Sequence, residues 1–206
     1  MPRKLRRVAA VEEGVQTMMG SAAAPGGIDR HLVQRVLDGD LRAFPELVKR
    51  YDERLRGLAY KLLAGDRDRM DDVLQDAYVR AYRSLGTFRA DAELGTWLYR
   101  IVSNACMDEL RRGRRRPNPV DTASWEVASA RTGPEGAAVA ADQVLRALAS
   151  LPEDQRITVV LVDGEGFDHH QAAEILGVAP GTVGSRLSRA RASLRRTIEQ
   201  DREEER

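Results

Sequence analysis

The chain has one cysteine, Cys106, among 206 residues. That excludes an internal disulfide framework and any metal site built from several cysteines. Aromatic residues make up only 5% of the sequence. Lysine is scarce too: Lys4, Lys49 and Lys61 are the only ones, so arginine supplies almost all of the 33 basic residues. No run approaches the length of apolar sequence needed for a transmembrane helix, so no membrane insertion is expected. The opening, MPRKLRRVAAVEEGV, is basic, but Glu12 and Glu13 interrupt its apolar stretch before it reaches the length of a secretory signal. The expectation is a soluble, cytoplasmic protein. Alternating strand patterns are missing as well, apart from ITVVLVD (157–163), which is strand-like by propensity. With helical sequence on both sides and no second strand to pair with, that segment is assigned to a helix.

What is present fits helical modules. Apolar residues are 42% and charged residues 32%, enough for a core beneath a highly charged surface. Residues 1–27, ending in SAAAPGG, are expected to be a disordered extension. Asp40 is placed as the cap of one long helix whose stripe is Phe44, Leu47, Val48, Tyr51, Leu55, Leu58, Ala59 and Leu62. AGDRDRMDD opens the next helix, which runs to about Ser84 with Leu74, Ala77, Tyr78 and Ala81 inward. After a loop around FRADAELG, a helix from about Leu94 to Arg112 buries Leu94, Trp97, Leu98, Ile101, Val102, Ala105 and Leu110. The prolines and glycines of 114–136 mark a flexible linker. Thus the fold is expected to be all-α: two small helical domains, 28–113 and 137–200, followed by a charged tail at 201–206.

The C-terminal part carries the most specific pattern. Ala172, Ala173, Ile175 and Leu176 form the face of a short helix, Gly177 ends it where a positive φ is easily adopted, and Pro180 starts the next helix. There Val183, Leu187, Ala190 and Leu194 point inward. Thr182, Ser185, Arg186, Ser188, Arg189 and Arg191 face outward, and residues 180–196 contain five arginines and no acid. Small polar residues and arginines on a thin helix suit the major groove and its guanine edges. This is a helix-turn-helix.

A second basic face lies on the helix from Leu94. Arg100, Asn104, Asp108, Arg111 and Arg112 recur at helical spacing, and Arg114, Arg115 and Arg116 follow. Basic residues interleaved with rings suit single-stranded nucleic acid. Trp97 and Phe88 fall on the inward side, which leaves Tyr99 as the exposed ring. The loop 89–95 is a candidate pocket for an unstacked base. A third face, with Asp68, Asp72, Gln75, Asp76 and Val79, is acidic; it would repel phosphate and suits a protein partner. Enzyme chemistry finds no support. His169 and His170 diverge by about 100° on a helix, Cys106 is placed in a helix interior, and DGEGF (163–167) is followed by no phosphate-cradling lysine. No cofactor or metal is expected.

Taken in order, FPELVKRYDERLRGLAYKLL, DRMDDVLQDAYVRAYRSLGTF, TWLYRIVSNACMDELRR and HHQAAEILGVAPGTVGSRLSRARASLRR resemble regions two and four of the extracytoplasmic-function (ECF) sigma factors of bacterial RNA polymerase. The resemblance covers roughly 29–112 and 137–198. It implies that Asp71, Asp72, Gln75, Asp76 and Tyr78 dock on the coiled coil of the largest polymerase subunit. It implies that Tyr99, Arg100, Asn104, Asp108, Arg111 and Arg112, with the loop 89–95, capture and open the −10 element of promoter DNA. Thr182, Ser185, Arg186, Ser188, Arg189 and Arg191 then match the −35 reader. The second domain is implied to touch the flap of the second-largest subunit, and an anti-sigma factor is a further partner of the family. Two departures stand out: Gly184 occupies a position often held by a cation, and His169 and His170 replace the usual aromatic or acidic residues. The alternatives to this reading are a one-component transcription regulator and a helical adaptor without DNA contact.

Overall fold

The computed structural model describes residues 25–88, 93–115 and 135–204, and among them there are helices and turns but no strand. The expected extension and linker fall largely outside the described residues. The helices are α1 (Pro25–Leu37), α2 (Ala43–Lys49), α3 (Asp52–Leu62), α4 (Arg67–Ser84) and α5 (Leu94–Arg115), then α6 (Glu135–Ser150), α7 (Glu153–Val159), α8 (His169–Leu176) and α9 (Pro180–Glu204).

In the first group α1 packs on α2, while α3, α4 and α5 pack on one another. Leu55, Leu58, Leu62, Leu74 and Leu98 form its fully buried centre. Asp66 caps α4, its carboxylate accepting from the Arg69 amide at 3.0 Å. The single helix expected over Phe44–Leu62 is instead two, because the chain bends at Arg50–Tyr51. The Tyr51 amide donates to the Val48 carbonyl at 2.9 Å, one residue tighter than an α-helical bond. The bend lets Arg50 Nε reach Asp29 Oδ1 at 2.8 Å and Tyr51 Oη donate to Asp29 Oδ2 at 2.5 Å. Asp29 is buried, and both partners satisfy it. Asp40 is not the N-cap residue of that helix, which begins later at Ala43: its carboxylate pairs with Arg35 at 2.6 Å and accepts from the Arg42 amide at 3.1 Å, just ahead of the first turn.

In the second group α9 packs on α7 and α8. ITVVLVD is helical, as assigned. Ile157, Thr158, Val159, Val160 and Leu161 are all buried, and a helix apolar on every side belongs inside a core. It ends in a π-helical turn, Val160–Gly164, where the Glu165 amide donates to the Val160 carbonyl at 2.9 Å. The Asp168 carboxylate accepts from the His170 and Gln171 amides at 2.8 Å, and the Asp168 amide donates to Gln171 Oε1 at 3.1 Å, closing a capping box at α8. Gly177 ends α8 at φ 64°, as the turn requires.

The two groups are docked. One buried apolar cluster continues through both, α5 lies against α8 and α7, and α3 lies against α6 and the π turn. Gly65, at φ +87°, permits part of this approach, since a Cβ there would sit 3.1 Å from Leu145 Cδ1. Cys106 is fully buried within the first group, as expected, and burial pushes its thiol up to about 12. The protein is therefore expected to leave a disulfide reagent unreacted at pH 8 and to react through its one thiol on denaturation; modification of the folded chain would contradict this packing.

Candidate nucleic-acid interface

Helix α5 has three faces, set by its turn of about 100° per residue. Leu94, Leu98, Val102 and Ala105 pack into the first group and are buried. Arg100, Asn104 and Arg111 lie on an exposed strip. Asp108 borders that strip and accepts an ion pair from Arg80 at 3.2 Å, while Arg112 pairs with Glu109 at 3.3 Å. The third face, with Thr96, Tyr99 and Ser103, is buried as well. Tyr99 is thus not the exposed ring the sequence suggested. It is 1% exposed, its ring packs edge-on against Phe167 of the second group at 4.7 Å, and its hydroxyl donates to Glu165 Oε2 at 2.8 Å. Desolvation, followed by that hydrogen bond, raises its phenol well above the ordinary value. Residues 89–92 of the candidate base pocket fall outside the described residues, and Leu94 and Gly95 already belong to α5. Trp97 and Phe88 are partly buried against each other, their ring centroids 5.3 Å apart.

The outward face of α9 is open. Ser185, Ser188, Arg189 and Arg191 are exposed and Thr182 is half-buried. The arginines differ in their ties. Arg186 Nε lies 3.1 Å from Asp154 of α7, which leaves its side chain 23% exposed. Arg191 forks onto Asp163 at 2.6 and 2.9 Å. Arg189 lies along its own helix, donating to the Ser185 carbonyl at 3.2 Å and the Ser185 hydroxyl at 3.4 Å, and turning it outward breaks no ion pair among the described residues. At Gly184 a Cβ would meet nothing closer than His169 at 4.0 Å, so a side chain would fit.

The acidic face of α4 carries Asp71, Asp72, Gln75 and Asp76, all exposed, with Asp71 paired to Arg56 at 2.5 Å. Tyr78 is half-buried, and its hydroxyl donates to Asp52 at 2.7 Å. Sequence reasoning placed Val79 on this surface but missed Tyr82 beside it. Val79 and Tyr82 are exposed on the same helix, and Tyr82 stacks edge-on with Phe44 at 5.2 Å. Beside them Phe44, Pro45, Val48 and Tyr78 line a shallow groove of about 360 Å³. The signal was available: Val79 and Tyr82 stand three apart on a face otherwise polar.

No helix among the described residues is long and apolar enough to cross a membrane. Two family models match the chain, Sigma-70 region 2 over residues 47–116 and Sigma-70 region 4 over residues 141–194. The ECF RNA polymerase sigma factor SigM of Mycobacterium tuberculosis is 43% identical over 170 residues, which are 82% of this chain and 84% of SigM. The ECF RNA polymerase sigma-E factor of Escherichia coli is 35% identical over 178 residues, 81% of this chain and 92% of that protein. Among solved structures, CnrH in complex with the cytosolic domain of CnrY superposes with a TM-score of 0.65 at 29% identity, over 84% of this chain and 99% of that one. RpoE of Bartonella quintana, solved with the anti-sigma factor NepR, gives 0.64 at 29% identity, over 77% and 98%.

Proposed function

Because the chain belongs to the ECF sigma factors of RNA polymerase and so directs promoter recognition, we propose that its two helical heads divide that task by residue as follows. The second head reads the −35 element through Thr182, Ser185, Arg186, Ser188, Arg189 and Arg191 on α9. The first head captures the −10 strand through Arg100, Asn104, Asp108, Arg111 and Arg112 on α5, with Tyr99 joining once its cover is removed. Capturing an unstacked base offsets part of the few kcal/mol that unpairing costs, so melting needs no nucleotide hydrolysis. Asp71, Asp72, Gln75, Asp76 and Tyr78 hold the coiled coil of the largest polymerase subunit, and the second head meets the flap of the second-largest. The protein acts where polymerase acts, in the cytoplasm, as an initiation factor rather than an enzyme. RpoE and CnrH are each solved with a bound partner, NepR and CnrY. An anti-sigma factor is therefore a fitting partner here, and the apolar groove beside α4 offers it a surface.

The observation that carries this reading is the segregation of charge. Arginines stand on the outward strips of α5 and α9, whereas α4 presents acid beside apolar rings. A DNA-facing surface needs the first and a protein-facing surface the second. A one-component regulator would have no use for the α4 face. Purified core polymerase plus this chain, offered a promoter library, is expected to initiate at a defined subset. Silence on every template, with operator binding by the protein alone, would refute the reading. Asp72→Arg is expected to weaken core-polymerase binding about tenfold or more by reversing charge at the docking face, with helicity unchanged; an unaltered affinity would remove α4 from the interface.

A further inference from the structure

Gly184 of α9 and His169 of α8 meet in space: a Cβ on the glycine would lie 4.0 Å from both Cε1 and Nδ1 of the imidazole. His169 opens α8 and is exposed. Around α9, Gly184 stands about 100° from the fully buried Val183, and Ser188 of the outward strip stands about 40° further on. The imidazole therefore lies along one flank of the helix, between its buried stripe and its outward strip, where the glycine supplies no side chain. Farther along that flank Arg191 is forked onto Asp163, and on the other flank Arg186 is tied to Asp154.

An α-helix with its side chains is about 10–12 Å across and the major groove about 12 Å wide. A group on the flank of an inserted helix therefore faces the wall of the groove, which is a row of phosphates. The backbone at the start of α8 is not available to them, because the His170 and Gln171 amides both donate to Asp168 at 2.8 Å. The His169 side chain is. Protonated, it donates from both ring nitrogens and carries the charge a phosphate attracts; neutral, it keeps one donor and no charge. Of the groups around it, Asp168 is held below the usual carboxylate range, chiefly by the Gln171 amide. Asp163 is paired with Arg191, and Glu165 of the π turn with Lys61. The face that α5 turns to this head has one titratable group, the Tyr99 phenol, which burial holds well above its ordinary value. Carboxylates and guanidinium groups ordinarily keep their charge between pH 6 and pH 8, whereas imidazoles change theirs near pH 6.5. His169 and its neighbour His170 are thus the groups here that respond in that range.

We infer that His169, seated against Gly184, is a titratable phosphate contact of the −35 face, which grips one phosphate when protonated and releases it when neutral. The inference rests on the −35 reading of α9 above. Binding through this contact is tighter in acid, and the gain is lost as the pH rises and the imidazole gives up its proton. One phosphate neutralised, with release of its counterion, is a factor of about five at about 0.15 M salt. The contact carries no sequence information, so it strengthens every −35 sequence alike.

The test uses the full chain assembled with core polymerase and a promoter duplex selected by that complex, with affinity read by fluorescence anisotropy at pH 6 and pH 8. Each variant is compared with the parent at the same pH, so the response of polymerase itself cancels. His169→Gln is expected to bind about fivefold more weakly than the parent at pH 6 and equally at pH 8. His169→Lys, charged throughout, is expected to match the parent at pH 6 and to bind about fivefold tighter at pH 8. His170→Gln is expected to follow the parent at both. At pH 6 the fall of log affinity with log salt is expected to be steeper by about 0.9 in the parent than in His169→Gln. A ratio of parent to His169→Gln that does not change with pH overturns the contact, since a merely structural role gives that result. A pH response removed by His170→Gln instead of His169→Gln overturns the assignment, and a loss confined to particular −35 sequences overturns the phosphate. If the histidine variants are silent while Arg189→Ala still alters −35 selection, the contact falls and the −35 reading stands. If Arg189→Ala is silent too, the −35 reading falls, and the contact with it.

Discussion

Arg189→Ala is expected to change which −35 sequences are selected, at a cost of about 1–3 kcal/mol for the preferred one, because a forked guanidinium on a guanine edge contributes that much discrimination. Selection from randomised duplexes by polymerase carrying the variant measures it. A uniform loss across all sequences would make Arg189 a phosphate contact instead. Adding Arg186→Ala is expected to abolish −35 preference while the circular dichroism stays helical. The two arginines contribute differently. Arg189 is exposed and tied only to its own helix, whereas Arg186 must leave Asp154 before it can reach DNA. Asp154→Asn is therefore the informative companion: it is expected to leave the fold intact and to strengthen −35 binding modestly by releasing Arg186.

Arg156→Met carries the largest expected effect on stability. Arg156 is 8% exposed. It donates to the Ala149 carbonyl at 2.6 Å, the Leu151 carbonyl at 3.3 Å and, across the heads, the Leu62 carbonyl at 2.9 Å. Methionine fills a similar volume but leaves those carbonyls without their donor, at about 1–3 kcal/mol for each one that water cannot reach. A total of about 3 kcal/mol or more is expected, which lowers the Tm by roughly 6–12 °C for a chain of this size. A loss below about 1 kcal/mol would mean that solvent replaces the guanidinium, and the head-to-head contact would then be wetter than the burial of Arg156 indicates.

How much of this could be read from the sequence depends on how far apart the interacting residues lie. The helix-turn-helix was legible because its signals are local: the stripe of Val183, Leu187 and Ala190, the glycine at 177 and the proline at 180 all lie within two turns of what they determine. The same holds for the start of α4, which the carboxylates of AGDRDRMDD mark. The bend at Tyr51 was not legible, because the residue it brings Arg50 and Tyr51 to, Asp29, lies 22 residues upstream of Tyr51, and the stripe across Phe44–Leu62 continues through the bend undisturbed. Tyr99 was misplaced for a related reason. A helical wheel distinguishes one buried face from the rest, but α5 is buried on two, and the second is covered by residues 66 positions away. DGEGF was dismissed as a phosphate loop for want of a lysine. A lysine does meet it, Lys61, but from the other head.

The contact between the heads joins polar groups, a carboxylate, an ammonium, two guanidinium groups and a phenol, to the apolar cluster that continues through both heads. Bared, such a mixed surface would hydrate at its charged groups and cling at its apolar ones. A head cut from its neighbour therefore exposes oily surface that the joined chain keeps from water.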